Sequence, residues 1–184
     1  MRRLNHRKIA GLLGSLMLIG GPAHALSTDK QQPIHIEADN VTIDDGRGVA
    51  VYRGNVHFKQ GSAQLTADEV TVSTADRKQV GKIVAKGAPA TFRQRPDNKD
   101  QDMRGQALHI EYFANEERVV LETQAQLWQG QNEFAGSRIE YRAGEEVVQA
   151  QKAPDDSQRV HVIIQPRPAA PGPDAPPPSN KSAP

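Results

Sequence analysis

Ile36-Glu37-Ala38-Asp39-Asn40-Val41-Thr42-Ile43 sets a pattern that returns three more times in the chain. The later copies are Leu65-Thr66-Ala67-Asp68-Glu69-Val70-Thr71-Val72, Met103-Arg104-Gly105-Gln106-Ala107-Leu108-His109-Ile110 and Phe134-Ala135-Gly136-Ser137-Arg138-Ile139-Glu140-Tyr141. Each reads apolar, x, small, x, x, apolar, x, apolar. Alternation on both sides of the small residue is the signature of a strand with one dry face, and the extra residue between the halves reverses the parity. A bulge or corner belongs at that point, with Ala or Gly leaving room for close backbone approach. Each unit is therefore expected to be a strand that curves around something apolar.

A second half-motif follows each of the first three copies. Val49 to Phe58 alternates around Gly54, Ile83 to Phe92 around Gly87, and Val119 to Trp128 more distantly around Thr123. The repeat unit is then two strands, with Val41, Val70, Leu108 and Ile139 at intervals of 29, 38 and 31 residues; repeats of this length imply stacked supersecondary units. Asp44-Asp45-Gly46-Arg47-Gly48 and Lys59-Gln60-Gly61-Ser62 carry hairpin turn chemistry. The polar stretch from Arg93 to Asp102 accounts for the longest interval and reads as a mobile loop. Between Leu26 and Gln165 no apolar series recurs at helical spacing, so an all-β domain of roughly 135 to 140 residues is expected, a size that supports a single core.

Outside that domain the composition changes on both sides. Arg2, Arg3, Arg7 and Lys8 precede an apolar run from Ile9 to Ile19 and the small-x-small site Ala23-His24-Ala25. Basic, apolar and cleavage segments in that order read as a secretory signal peptide over residues 1–25, and eleven apolar or small residues fall short of a membrane span. After the last expected strand, Val160 to Ile164, the segment from Pro166 to Pro184 holds eight prolines and is expected to stay unpacked. Removing residues 1–25 takes four of the 23 basic residues and none of the 22 acidic ones, leaving a net charge of 19 − 22 = −3. That argues against nucleic acid as a partner. With no cysteine, an exported chain must hold together by strand pairing and burial alone.

The residues offer little for catalysis. His35-x-Glu37 and His109-x-Glu111 each place two ligand types on one strand face, but alternation turns that face to water and no third ligand converges. Asp44-Asp45-Gly46 lacks the downstream Glu of a calcium loop and reads as a tight turn. There is no G-x-S-x-G, and Ser137 occupies the repeat position held elsewhere by Asp39, Asp68 and Gln106. Asp39 and Asp68 fall at the parity shift, where a short carboxylate can accept hydrogen bonds from donors the bulge frees. No enzyme activity, metal or cofactor is expected.

The run from Gly54 to Val72 (GNVHFKQGSAQLTADEVTV), the later GAPATF from Gly87 and the closing SRIEYR from Ser137 resemble the OstA-like family. The resemblance covers about Ile34 to Gln165, with the Ala-Asp pair missing from the third and fourth copies. It implies a β-jellyroll with an open, V-shaped, two-layer section and a periplasmic role in carrying lipopolysaccharide from the inner-membrane component LptC to the outer-membrane component LptD. The residues suit such a cargo, because exposing one acyl chain of about a dozen carbons to water costs on the order of 10 kcal/mol. An apolar groove would remove that barrier without chemistry, and with one Trp and four Phe the interior is low in bulk.

Alternation assigns Ile36, Ile43, Val56, Phe58, Leu65, Val72 and Phe92 to the inner, lipid-facing side, followed by Leu108, Ile110, Leu121, Leu127, Phe134 and Tyr141. The first and last strands, marked by Ile34, Ile36 and Val41 and by Val160, Val162 and Ile164, are the expected open edges. Edge pairing between copies would give a head-to-tail homo-oligomer, with LptC at the first edge and LptD at the last implied by the resemblance. Two other readings remain: a protein-binding periplasmic adaptor with a closed core and no lipid, and a hydrolase on a jelly-roll scaffold.

Overall fold

The structure, a computed structural model, describes residues 28–75, 79–96, 99–153 and 159–166. The signal-peptide reading of residues 1–25 and the tail from residue 167 lie outside the described residues. Ten strands follow a 3-10 helix at Thr28–Gln31: β1 (Ile34–Glu37), β2 (Asn40–Asp44), β3 (Val49–Gln60), β4 (Ala63–Thr74), β5 (Val80–Gln94), β6 (Met103–Phe113), β7 (Arg118–Gln129), β8 (Asn132–Arg142), β9 (Val147–Gln151) and β10 (His161–Ile163). They form one antiparallel meander from β1 through β3 to β8 and β10. At one edge β1 and β2 share β3 as partner, and at the other β9 and β10 share β8. The expected all-β jellyroll, an open sheet of strand pairs, is what forms. The first repeat is split at Ala38–Asp39 into two short strands rather than one curved one, and β9 is an addition that the alternation of Val148 and Ala150 was too short to announce.

The parity shifts align into a single row of bends across the sheet. Register slips fall between Arg53 and Val56 on β3, Thr66 and Glu69 on β4, Lys86 and Ala90 on β5, Gln106 and His109 on β6, and Glu122 and Ala125 on β7. At this row Gly54 and Asn55 take φ of 79° and 45°, and Thr123 and Gln124 take 65° and 56°. Thr123 thus adopts the left-handed conformation at the place where its counterpart is glycine. Along the row each long strand bends, which folds the sheet into two arms. Val56, Phe58, Ala90, Met103, Ala107, Ala125 and Leu127 from the first arm meet Val70, Ile83, Ala85, Ile110, Leu121, Ile139 and Tyr141 from the second in one buried cluster.

Register also corrects the phase of the third repeat. Val41 pairs with Tyr52, Tyr52 with Val70, Val70 with Ala85, Ala85 with Ile110, Ile110 with Leu121 and Leu121 with Ile139. The residue equivalent to Val70 is therefore Ile110, not Leu108, and the intervals become 29, 40 and 29 residues. A slip of two residues keeps strand parity, so the pattern fits either phase. Ala107 takes the inner place of Ala67, and Gly105 that of Leu65, where a Cβ would run into the Phe92 ring. Leu108 is consequently not inward-facing: it lies at the bend with Pro89, Gln106, Gln124 and Gln126 around a shallow outer depression.

Candidate functional site

The inner surface is apolar from edge to edge. Of the residues assigned to it, Val56, Phe58, Ile110, Leu121, Leu127 and Tyr141 are buried, and Ile36, Leu65, Val72, Phe92 and Phe134 pack against them half-buried. Ile43 shares its face with Ala50 and Val72 through the β2–β3–β4 register. It is nevertheless 63% exposed, because β2 is an edge strand with nothing laid over it. Met103, Val70, Ile139 and Ile83 belong to the same surface, although the sequence reading did not assign them to the lipid-facing side. Between the arms Phe58, Leu65 and Phe92 face Ile83, Ile110 and Tyr112 across a cavity of about 100 Å³, below the ~300–1,000 Å³ of ordinary ligand pockets.

Two polar contacts bridge the arm tips, and Asp29 caps the tip of the first arm beside them. Asp29, the one buried charged residue among the described residues, lines this cavity from the 3-10 helix. Its carboxylate accepts from the Ser62 amide at 2.7 Å, the Ser62 hydroxyl at 2.7 Å and the Gln94 side chain at 3.1 Å. Gly61, at φ 59°, makes room for it, since a Cβ there would collide with that carboxylate. Farther along, Lys99 of the β5–β6 loop pairs with Glu146 of the β8–β9 turn at 2.6 Å. The Tyr141 hydroxyl hydrogen-bonds Gln129 on the opposite arm, and burial pushes its pKa up. The β5–β6 loop is itself tied at its base, where Arg93 and Arg95 donate to Asp102 at 2.7 and 2.9 Å. These bonds from Arg95 and Arg93 hold the Asp102 carboxyl below its ordinary range.

The two sheet edges carry the exposed large apolar side chains. Ile34, Val41 and Ile43 lie on β1 and β2; Val160, Val162, Ile163 and Ile164 lie on or beside β10. Ile36 is on the first edge strand but packs into the core. The outer faces are polar by contrast. His109 meets Glu111 at 3.3 Å, with Lys82 on the same carboxylate at 2.9 Å. Burial raises the Glu111 pKa, but its bonds to Lys82 and His109 outweigh that and hold it low. Asp44 accepts from the Arg47 amide at 2.9 Å and its side chain at 2.7 Å, fixing a turn. Asp39 accepts at the bend from the Asn55 side-chain amide at 3.0 Å, not from a backbone donor. Among the described residues no three or more His, Asp or Glu converge as a metal site would need.

A family profile described as LptA/(LptD N-terminal domain) LPS transport protein matches residues 35–147. Lipopolysaccharide export system protein LptH of Pseudomonas aeruginosa is 35% identical over 164 residues, covering 86% of this chain and 91% of its own. Lipopolysaccharide export system protein LptA of Escherichia coli K12 is 34% identical over 156 residues, covering 84% and 83%. The crystal structure of the Pseudomonas LptH, described as the LptA-homologous periplasmic component of the conserved lipopolysaccharide transport device, superposes with a TM-score of 0.68 at 36% identity. That match covers 75% of this chain and 99% of that one.

Proposed function

Because the chain belongs to the LptA/LptD N-terminal-domain family of lipopolysaccharide transport proteins, we propose that it is the periplasmic carrier that takes lipopolysaccharide from LptC to LptD. Residues 1–25 act as its export signal, cleaved after Ala25, and the proline-rich segment from Pro166 is dispensable for folding. The observation that carries this reading is the continuity of the apolar inner surface, which ends at both edges in exposed aliphatic side chains. An edge strand with unpaired backbone groups recruits another strand, and pairing β10 of one copy with β1 and β2 of the next is a heterologous contact that propagates. Stacked in this way, the inner surfaces of successive copies join into one apolar track. LptC takes the first edge and LptD the last by the same strand addition.

The small cavity favours the second reading, a protein-binding adaptor with a closed core. Under the lipid reading the arms must part to admit an acyl chain; the ion pair that bridges their tips, Lys99 with Glu146, is solvent-exposed and weak enough to yield, while the Asp29 bonds stay within the first arm. Native mass spectrometry of the purified protein, with and without lipopolysaccharide, separates the two. The carrier reading expects a lipid-bound mass for the monomer and for each oligomer; oligomers that never gain lipid mass would leave only the adaptor.

A further inference from the structure

On the outer face of the first arm two arginines stand directly opposite each other on neighbouring strands. The register there runs Gln64, Arg93, Arg104, Trp128 across β4 to β7, and beside it Thr66, Thr91, Gln106, Gln126. Like charges paired across strands destabilise a sheet. Asp102 relieves the first arginine only in part, since the same carboxylate also serves Arg95. Among the described residues no carboxylate pairs with Arg104. Three guanidinium groups and one carboxylate leave an excess of two positive charges, beside a cleft of about 450 Å³ on the otherwise polar surface.

The lining of that cleft is chemically specific. Two guanidinium groups side by side match the oxygens of a phosphate, which Arg binds through paired donors. Thr66 and Thr91 share one hydroxyl contact at 2.6 Å, and Gln106 donates to Gln126 at 2.7 Å. Each hydroxyl and amide keeps further donors or acceptors free for hydroxyl groups on a ligand. Trp128 closes one side with a half-buried indole, a flat apolar face against which the C–H side of a sugar ring can rest. We propose that this cleft is a binding site for a phosphorylated saccharide, with Arg93 and Arg104 on the phosphate and Trp128 against the ring. The assignment is independent of any lipid between the arms. The ligand is either the sugar head of lipopolysaccharide or a free sugar phosphate.

Trp128 is the one tryptophan of the chain, so its fluorescence reports on the cleft without labelling. Purified protein is titrated with glucose 6-phosphate, glucose, inorganic phosphate and fully deacylated lipopolysaccharide. A saturable change in Trp128 emission is expected with both phosphorylated saccharides, at concentrations at least tenfold lower than with glucose or phosphate alone. Arg104→Gln should weaken it tenfold or more and Arg104→Lys by only a few-fold, with melting temperatures unchanged because the side chain is exposed. Tighter binding of the deacylated lipopolysaccharide assigns the site to the lipid head; tighter binding of glucose 6-phosphate assigns it to a free metabolite. No saturable response to either, inorganic phosphate binding as tightly as the sugar phosphates, or a response untouched by Arg104→Gln would overturn the proposal.

Discussion

Thr123 carries the clearest local cost in the fold, because a β-branched side chain at φ 65° is held where only glycine is at ease. Thr123→Gly should raise stability by about 1 kcal/mol in urea unfolding. Gly54→Ala should lower it by more, since the added methyl would run into Asp39 as well as strain the backbone. The third half-motif was thus legible as a degenerate copy, and its departure from glycine marks strain rather than a different structure. Asp102 gives the pH dependence a sign. Its folded pKa lies below the ordinary 3.8, so its stabilising contribution is complete above about pH 4 and is lost as pH falls through the folded value. Asp102→Asn should therefore make acid unfolding below pH 4 shallower while leaving the shape of the profile above pH 5 unchanged, as followed by circular dichroism.

Among the elements, the repeats were readable because alternation and a parity flip leave a record in side-chain type. Their phase was not readable in β6, where Gly105 has no side chain to show its face and a two-residue slip preserves parity. The 3-10 helix left no such record: Thr28-Asp29-Lys30-Gln31 is polar throughout, and only the fold shows Asp29 buried at the mouth on Ser62 and Gln94. The Arg93–Arg104 pairing was equally hidden, because register across the β5–β6 loop decides it. Asp29→Ala would strand the Ser62 and Gln94 donors and should cost about 1–3 kcal/mol. Native-state hydrogen exchange should then speed up first at the tips of β3, β4 and β5. At the edges, Val41→Asp is a cleaner probe than a change at Ile36, because Val41 is 54% exposed while Ile36 packs on the core. Together with Ile164→Asp it should abolish concentration-dependent oligomers in sedimentation while the monomer keeps its melting temperature.

For the whole molecule, a sheet folded along one row of bends has an inside that reaches both edges, and the two edges present the exposed aliphatic side chains. A closed sandwich core would have no reason to run out to open, sticky ends. The arms lie close together with about 100 Å³ between them, so carriage of an acyl chain implies that they separate at the mouth while the bend row holds them at the back. The central claim is that the acyl chains occupy the inner face and not the outer one. A photo-crosslinking residue placed in turn at Phe58 and Leu65 on the inside, and at His109 on the outer face of the other arm, tests it in cells making lipopolysaccharide. The account predicts a lipopolysaccharide adduct from Phe58 and Leu65 and none from His109; equal capture at all three, or capture at His109 alone, would contradict it.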